Sequence, residues 1–337
     1  MNERIARLAL LTGGILFSLC VIEAASRFLY PVSVNVKNIT LDGQPVADWI
    51  TPGIQYRQIF SEYDAVTTIT EKGHRVPKVE SNPDVVFLGD SFTFGWGLSD
   101  GETFESLYCE ARKYVCANLG VPGTGTEEQV DRLQEFLNRW GWRPREVKLF
   151  IMAMTASFSA GNDLADNFWY EQVLKERSQN KAHALGNWTA PQPEQPSVGV
   201  LERLVNTREF FLKHSNLVRI GKYFWGPWLR SGLDPGLDQA RLKRALELTH
   251  MQLVRFDEMS KQYGFTYRIY LVHPVQDFLQ GSYPDTFSQL SKISPAPIRD
   301  TAPLFKGNPE RFYYRYDGHI NKEGSRRIAD FLVSEER

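Results

Sequence analysis

Apolar and polar positions follow a pattern that predicts strands and helices in alternation from residue 84 onward. Short apolar runs rich in β-branched residues predict buried strands at 85–88, 115–119, 147–153 and 267–272. Apolar residues spaced three and four apart predict helices over 102–113, around 130–140, and over 239–263 and 322–333. Repeated βα units of this kind form a parallel sheet covered by helices on both faces. The pattern therefore predicts an α/β domain over residues 81–337.

The first 30 residues carry a different pattern. Arg4 and Arg7 precede an uncharged run over 8–22, and the apolar character continues with few interruptions to Tyr30. This length reaches the roughly 20 residues that a membrane-spanning helix needs. A cleaved signal peptide is the alternative, because it also has a basic start and a short apolar region.

The cleavage site for a signal peptide is poor, since Glu23 and the preceding isoleucine stand where small residues are preferred. We therefore expect residues 1–30 to be an uncleaved membrane anchor, with the positive charges inside and the rest of the chain exported to the periplasmic or extracellular side. Both interpretations export the body of the protein.

Residues 31–80 are expected to form a stalk that leads into a small β-rich segment. Alternating valines predict a half-buried strand, and several glycines and prolines predict turns. Arg75 is expected to lie in a solvated turn of this segment.

One part of the main domain, about 165–235, is expected to be an inserted loop and helical region. Within it, residues 178–200 are polar and contain prolines, so they predict a long exposed loop. The aromatic residues of 223–230 are expected to pack against the core, with stacking on sugar rings or contact with a membrane interface as alternatives.

Composition narrows the possible functions. The chain has 337 residues, 42% of them hydrophobic, and a formal net charge of −1, which gives no electrostatic case for binding nucleic acid. Cys109 and Cys116 flank the end of a predicted helix; a disulfide bond in an oxidising compartment and two buried thiols both remain open. Their spacing is not a metal-binding pattern, and no cofactor motif is present, so we expect neither a metal nor a cofactor.

The candidate chemistry lies where predicted strands and helices end. Ser91 follows the first strand of the main domain in Gly-Asp-Ser, at the sheet edge where α/β folds bind ligands. Ester hydrolysis by a serine needs a base, a carboxylate that orients the base, and donors for the oxyanion. Asp317 and His319 lie just before the last helix, and Gly123 and Asn162 follow the second and third strands. His273, at another strand end, is expected to be structural.

These residues resemble the four short sequence blocks of the SGNH (GDSL-type) hydrolase superfamily. The matching stretches of this chain are Gly89-Asp90-Ser91, Asn118-Leu119-Gly120-Val121-Pro122-Gly123, Gly161-Asn162-Asp163 and Asp317-Gly318-His319. The resemblance covers about residues 84–337, and 165–235 matches no block. It implies a flavodoxin-like three-layer α/β/α sandwich with a parallel sheet.

The resemblance also implies a role for each residue. Ser91 would be the nucleophile, His319 the base and Asp317 its partner. The backbone N–H of Gly123 and the side-chain amide of Asn162 would bind the oxyanion. The single residue between Asp317 and His319 resembles the variant found in many exported members and in bacterial polysaccharide O-acetyltransferases.

We therefore expect a serine esterase that acts through an acyl-enzyme on acyl, mainly acetyl, esters. Its expected substrates are acylated small molecules or glycans of the cell envelope. Transfer of the acyl group to a sugar hydroxyl would instead make the protein an O-acetyltransferase. A non-catalytic protein of envelope assembly or binding is the remaining alternative, although such a protein has no chemical need for all three of Ser91, Asp317 and His319.

Overall fold

The computed structural model describes residues 3–29, 36–46, 48–77, 79, 82–156, 162–180, 215–218, 220–221 and 235–336. The chain divides into two compact units, one made of Met1–Val36 and Ala184–Leu233 and the other of Lys37–His183 and Asp234–Arg337. All five candidate site residues belong to the second unit.

The second unit is built around a parallel sheet of five strands. In chain order they are β4 (Val85–Leu88), β5 (Cys116–Asn118), β6 (Glu146–Met152), β7 (Thr266–Val272) and β8 (Ile298–Asp300). Their spatial order is β5-β4-β6-β7-β8, and every neighbouring pair is parallel. This is the flavodoxin-like order, in which the chain reverses direction across the sheet beside the first strand.

Helices cover both faces of this sheet. They are α2 (Ser91–Phe94), α3 (Phe104–Arg112), α4 (Thr126–Arg139), α5 (Asp163–Asn180), α6 (Pro235–Tyr263), α7 (Val275–Gln280), α8 (Tyr283–Ile293), α9 (Ala302–Phe305) and α10 (Lys322–Ser334). Short 3₁₀ turns occur at Asp100–Glu102 and Pro309–Phe312.

Two apolar cores separate the layers, because successive residues of a strand point to opposite faces. Val86 and Leu88 pack with residues of α4, α6 and α8, whereas Val85 and Phe87 pack with residues of α3, α9 and α10. The α/β/α sandwich predicted from the sequence is confirmed. The strand β8 was missed, because only Ile298 of its three residues is apolar and no apolar run marks it.

The predicted lead-in contains an antiparallel sheet of three strands, β1 (Lys37–Thr40), β2 (Gln55–Ile59) and β3 (Asp64–Thr68). Strands β2 and β3 form a hairpin whose connection holds Glu62 and Tyr63. The expectation for Arg75 was wrong. Its guanidinium is buried and donates to the carbonyl oxygens of Phe94 and Gly95, at 2.6 and 2.7 Å. Those carbonyls stand at the end of α2, and a buried guanidinium needs several acceptors. Arg75 therefore lies in the interior, where it stabilises the end of α2, and not in a solvated turn.

The first unit contains the N-terminal helix α1 (Glu3–Leu29). Within it, Leu10–Leu29 is long and apolar enough to cross a membrane, with a mean hydropathy of 1.5. A signal sequence meets the same criterion. The carboxylate of Glu23 accepts the backbone N–H groups of Asn216 and Leu217, at 2.7 and 3.0 Å.

Cys109 of α3 and Cys116 of β5 are joined by a disulfide bond, which is one of the two states that the sequence left open. Helix α5 occupies the beginning of the 165–235 region. Residues 178–180, expected to begin an exposed loop over 178–200, instead belong to α5. The rest of that predicted loop and the aromatic stretch 223–230 lie outside the described residues.

Candidate active site

Ser91 is placed by the tight turn that ends β4 and begins α2. The carboxylate of Asp90 caps this helix, accepting the backbone N–H of Phe92 at 2.9 Å. Gly89 allows the turn to close, because a Cβ at this position would lie 2.8 Å from the backbone carbonyl oxygen of Phe150. The sequence Gly-Asp-Ser thus fixes the serine at the carboxyl end of a central strand.

Asp317 and His319 are placed by a closed turn before α10. The backbone N–H of Tyr314 donates to the carbonyl oxygen of His319 at 2.7 Å, and that of Gly318 donates to the carbonyl oxygen of Tyr314 at 3.0 Å. The side chain of Asn321 then caps α10, accepting the N–H groups of the second and third residues of the helix at 3.0 and 3.1 Å.

These two segments meet at the sheet edge. His319 Nε2 lies 2.8 Å from Ser91 Oγ, although the two residues are 228 positions apart in the chain. His319 Nδ1 is hydrogen-bonded to Asp317 Oδ1. With the Nδ1–H donated to the carboxylate, Nε2 is the acceptor for the serine hydroxyl. The histidine side chain is 22% exposed, so the line from carboxylate to hydroxyl ends at a surface that a ligand can reach.

The electrostatics of the pair follow from its neighbours. Burial lowers the pKa of His319, but the charge and hydrogen bond of Asp317, with the charge of Asp90, outweigh burial and leave this pKa raised. Burial acts to raise the pKa of Asp317, and the charge of His319 with the hydrogen bonds from His319 and Tyr63 more than reverses it, so this pKa is lowered. The carboxylate is therefore ionised wherever the imidazole titrates.

Gly123 and Asn162 lie on the two sides of this group. Gly123, exposed and with φ of +73°, follows β5, and Asn162 follows β6; these strands are the two neighbours of β4. The Asn162 side chain is buried, and its amide donates to the carbonyl oxygen of Met154 at 2.7 Å. Its carbonyl oxygen accepts the N–H of Leu164 at 3.2 Å, so Asn162 also caps α5. In the described part of the chain, neither residue is hydrogen-bonded to Ser91.

Two sets of residues at this site were not found from the sequence. The first is acidic: Asp90 is buried beside His319, and burial raises the pKa of Asp90 to about 7, against the hydrogen bond of Phe92 and the charge of His319. Burial and the charges of Asp90 and Asp166 likewise raise the pKa of the buried Asp163. Both acids belong to the sequence blocks Gly89-Asp90-Ser91 and Gly161-Asn162-Asp163, and this was the only sign in the sequence that they lie near the site.

The second set is Glu62 and Tyr63, which contact the turn holding Asp317. They lie 255 and 254 positions, respectively, from that aspartate in the chain. No pattern in the sequence links such distant residues.

Comparison with known proteins gave matches only among solved structures. No protein-family model matches this chain. No curated protein matches it either. One similar structure is that of a protein named as lipolytic, of the G-D-S-L family, from Desulfitobacterium hafniense DCB-2. The two chains are 13% identical, the match covers 74% of this chain and 97% of that chain, and the TM-score is 0.39. Another is a catalytic mutant of an acetylxylan esterase from Geobacillus stearothermophilus, with 12% identity, 77% and 96% covered, and a TM-score of 0.36.

A third is a family 2 carbohydrate esterase with a carbohydrate-binding domain from Corynascus thermopiles. It shares 11% identity, covers 89% of this chain and 85% of its own length, and has a TM-score of 0.34. Similarity at this level does not carry function from one chain to another.

Proposed function

We propose that this chain is a serine esterase in which Ser91 is the nucleophile, His319 the general base and Asp317 the group that orients the base. The observation that carries the proposal is the hydrogen-bonded line from Asp317 through His319 to Ser91, with 2.8 Å between Nε2 and Oγ. A hydroxyl bonded to an imidazole whose other nitrogen is held by a carboxylate is the arrangement that activates serine for acyl transfer.

The reaction has two halves. Nε2 of His319 accepts the Ser91 hydroxyl proton while Oγ bonds to the ester carbonyl carbon. The tetrahedral intermediate then collapses, its bond to the alcohol oxygen breaks, and that oxygen takes the proton from Nε2. A water molecule next gives a proton to Nε2 and attacks the acyl carbon, and Ser91 Oγ leaves with that proton, releasing the acid.

We assign the oxyanion to the backbone N–H of Gly123 and the amide of Asn162. Their support is topological: strands β5 and β6 flank β4, so the loops that follow them border the loop that holds Ser91. Donors for an oxyanion are effective when they are fixed before the charge develops, and the packed, buried side chain of Asn162 meets that condition.

The substrate we infer is a short acyl ester, such as acetyl, on a glycan of the cell envelope. This rests on location. Helix α1 would anchor the chain with Arg4 and Arg7 on the cytoplasmic side and the sheet domain outside, where the disulfide bond is stable. Carbonate extraction of membranes with N-terminal sequencing tests the anchor: an extracted protein that lacks residues 1–30 would point to a cleaved signal instead.

The activity is tested on the full chain in detergent micelles, with 4-nitrophenyl esters of increasing acyl length and with acetylated and bare glycans. Ser91→Ala is expected to lower turnover at least about 10³-fold, because the nucleophile is lost while its surroundings remain. Ser334→Ala, at an exposed position in the last turn of α10, is the matched control and should keep the wild-type rate.

Mass spectrometry of the quenched reaction should find the acyl group on the peptide containing Ser91. Acyl groups appearing on the bare glycan would identify transfer rather than hydrolysis as the physiological step. Absence of both turnover and adduct with every ester would overturn the proposal.

A further inference from the structure

The β2–β3 hairpin reaches the carboxylate at the end of the Ser91–His319–Asp317 line. The hydroxyl of Tyr63 donates to Asp317 Oδ2 at 2.8 Å, while Asp317 Oδ1 faces His319. Both carboxylate oxygens therefore have a defined partner. A carboxylate held at one oxygen can rotate about its last single bond, and a donor at the second oxygen prevents this rotation.

The residue before Tyr63 holds the backbone of the same turn. The carboxylate of Glu62 accepts the N–H groups of Arg315, Tyr316 and Asp317, at 2.6, 2.8 and 2.9 Å. Hydrogen bonds to an ionised acceptor are stronger than those between neutral groups. Two adjacent hairpin residues thus fix both the backbone and the side chain of Asp317.

Close packing sets the position of the Tyr63 hydroxyl. Tyr63 is only 8% exposed, and its ring lies 4.8 Å from that of Tyr314. On the other side is Gly97, where φ is +75° and where a Cβ would lie 2.8 Å from the tyrosine ring. Gly97 also donates its N–H to Gln58 Oε1 at 3.0 Å, so the hairpin contacts the segment that follows α2 as well as the Asp317 turn.

The hydroxyl of Tyr63 is a permanent donor. Burial, the charge of Asp317 and the hydrogen bond to Asp317 raise the pKa of Tyr63 far above its ordinary value, and a hydrogen bond with Trp96 only partly opposes them. The phenol therefore keeps its proton over the whole pH range in which an esterase works.

We propose that Tyr63 and Glu62 are positioning residues of the active site and act on the Ser91–His319 pair through Asp317. This inference rests on the proposed function. It makes the β1–β3 sheet part of the catalytic apparatus rather than a spacer between the sheet domain and the membrane.

Loss of the tyrosine hydroxyl should have two consequences. The carboxylate gains rotational freedom, so the imidazole is held less well for proton transfer and kcat falls. The negative charge of Asp317 is also no longer shared with a donor, so it stabilises the imidazolium more strongly and the pKa of His319 rises. The titratable groups that act on His319 are Asp317 and Asp90. Those near Asp317 are His319, Tyr63, Tyr314 and Glu62, whose carboxylate accepts the Asp317 backbone N–H. The substitution leaves all of them except Tyr63 in place.

The test compares Tyr63→Phe with Tyr56→Phe in the full chain in detergent micelles. Both tyrosines are buried in the same hairpin, and the hydroxyl of Tyr56 donates to the carbonyl oxygen of Trp49 at 3.1 Å and not to a group of the site. Each variant therefore loses one buried hydroxyl, and only Tyr63→Phe removes a donor from Asp317.

We expect Tyr63→Phe to lower kcat about tenfold with KM unchanged, and to move the acid limb of kcat/KM to higher pH. Tyr56→Phe should change neither. Proton NMR titration of His319, assigned with His319→Gln, should show a raised pKa in Tyr63→Phe alone. This measurement needs no turnover, so it tests the inference even if the wild-type protein proves inactive toward every ester.

Glu62 offers a second pair of variants. Glu62→Gln keeps one side-chain oxygen as an acceptor for the 315–317 backbone, and Glu62→Ala keeps none, so the glutamine variant should recover most of the kcat that the alanine variant loses. Equal His319 pKa values in wild type, Tyr63→Phe and Glu62→Ala would overturn the inference. So would equal shifts in Tyr63→Phe and Tyr56→Phe, because they would reflect general loosening of the hairpin.

Discussion

Two histidines of this protein sit among carboxylates at the same edge of the parallel sheet, and only one of them contacts a nucleophile. His273 directly follows β7; its Nδ1 lies 2.6 Å from Asp277 Oδ2 and its Nε2 lies 2.9 Å from Asp300 Oδ1. His319 also has a carboxylate at Nδ1, but its Nε2 is joined to the hydroxyl of Ser91.

The two histidines also differ in solvent exposure. The side chain of His273 is fully buried, and its backbone carbonyl oxygen accepts the hydroxyl of Tyr313 at 2.7 Å. The side chain of His319 is 22% exposed. A histidine bonded to an aspartate is therefore not enough to indicate catalysis. The partner of the second ring nitrogen, and the access of a ligand to it, decide whether the imidazole can move a proton.

The pKa values of the two imidazoles are shifted in the same direction. For His273, as for His319, burial lowers the pKa, but hydrogen bonds and charges of the neighbouring carboxylates outweigh burial and leave the pKa raised. The carboxylates of Asp277 and Asp300 tie His273 to α7 and β8, whereas His319 has the hydroxyl of Ser91 at its second ring nitrogen.

The largest expected difference between the histidines is in turnover. His319→Gln should lower kcat about 10⁴-fold, because the amide cannot accept and return the serine proton. His273→Gln should keep the wild-type kcat per folded molecule. Steady-state kinetics on both variants, normalised to folded protein by circular dichroism, check this; equal losses would remove the distinction.

The second-largest expected difference is in kcat, between substitutions of the carboxylates bonded to the two histidines. Asp317→Asn is expected to lower kcat about 10³-fold, because an amide no longer selects the imidazole form with Nδ1 protonated. Asp300→Asn removes the corresponding charge at His273 and should leave kcat unchanged. If both substitutions lowered kcat alike, the His273 group would belong to the catalytic apparatus.

The two histidine substitutions should rank in the opposite order for their effect on stability. His273→Gln leaves the carboxylate of Asp277 buried without its charged partner, and we expect the free energy of unfolding to fall by about 3 kcal/mol. His319→Gln should cost less, since the side chain of His319 is partly exposed and Tyr63 still donates to the carboxylate of Asp317. Urea unfolding of the sheet domain within the full chain measures both, and a smaller loss for His273→Gln than for His319→Gln would contradict the structural role of His273.

The smallest expected effect is on pH dependence, and its sign differs between activity and stability. Both histidine pKa values are raised above about 6.5, so the stabilisation is complete below that pH and is lost as the pH rises through the raised values. Activity requires neutral His319 and so increases over the same interval.

Asp90 and other buried acids with raised pKa values also lose stabilisation as the pH rises. The contribution of His273 is therefore measured as the difference between wild type and His273→Gln. Between pH 6 and 8 the fall in unfolding free energy should be shallower in His273→Gln than in wild type, by on the order of 1 kcal/mol per pH unit at most. Parallel curves would show that His273 is not charged in the folded protein.

The sequence alone predicted the α/β/α fold, because the period of the apolar residues reports local structure. Strands β4 to β7 and helices α3, α4, α6 and α10 were all predicted within a few residues of their observed bounds. It also predicted that Ser91 and His319 stand at element ends, since Gly-Asp-Ser and Asp-Gly-His are turn sequences.

Only the tertiary structure decided which distant residues meet at these ends. The contact of Tyr63 with Asp317 spans 254 positions, and the guanidinium of Arg75, in the segment after β3, reaches the end of α2. The structure distinguishes the two histidines in the same way, by the neighbours of each ring nitrogen. Such contacts depend on how strands and loops cross in space, and no local period in the chain encodes that crossing.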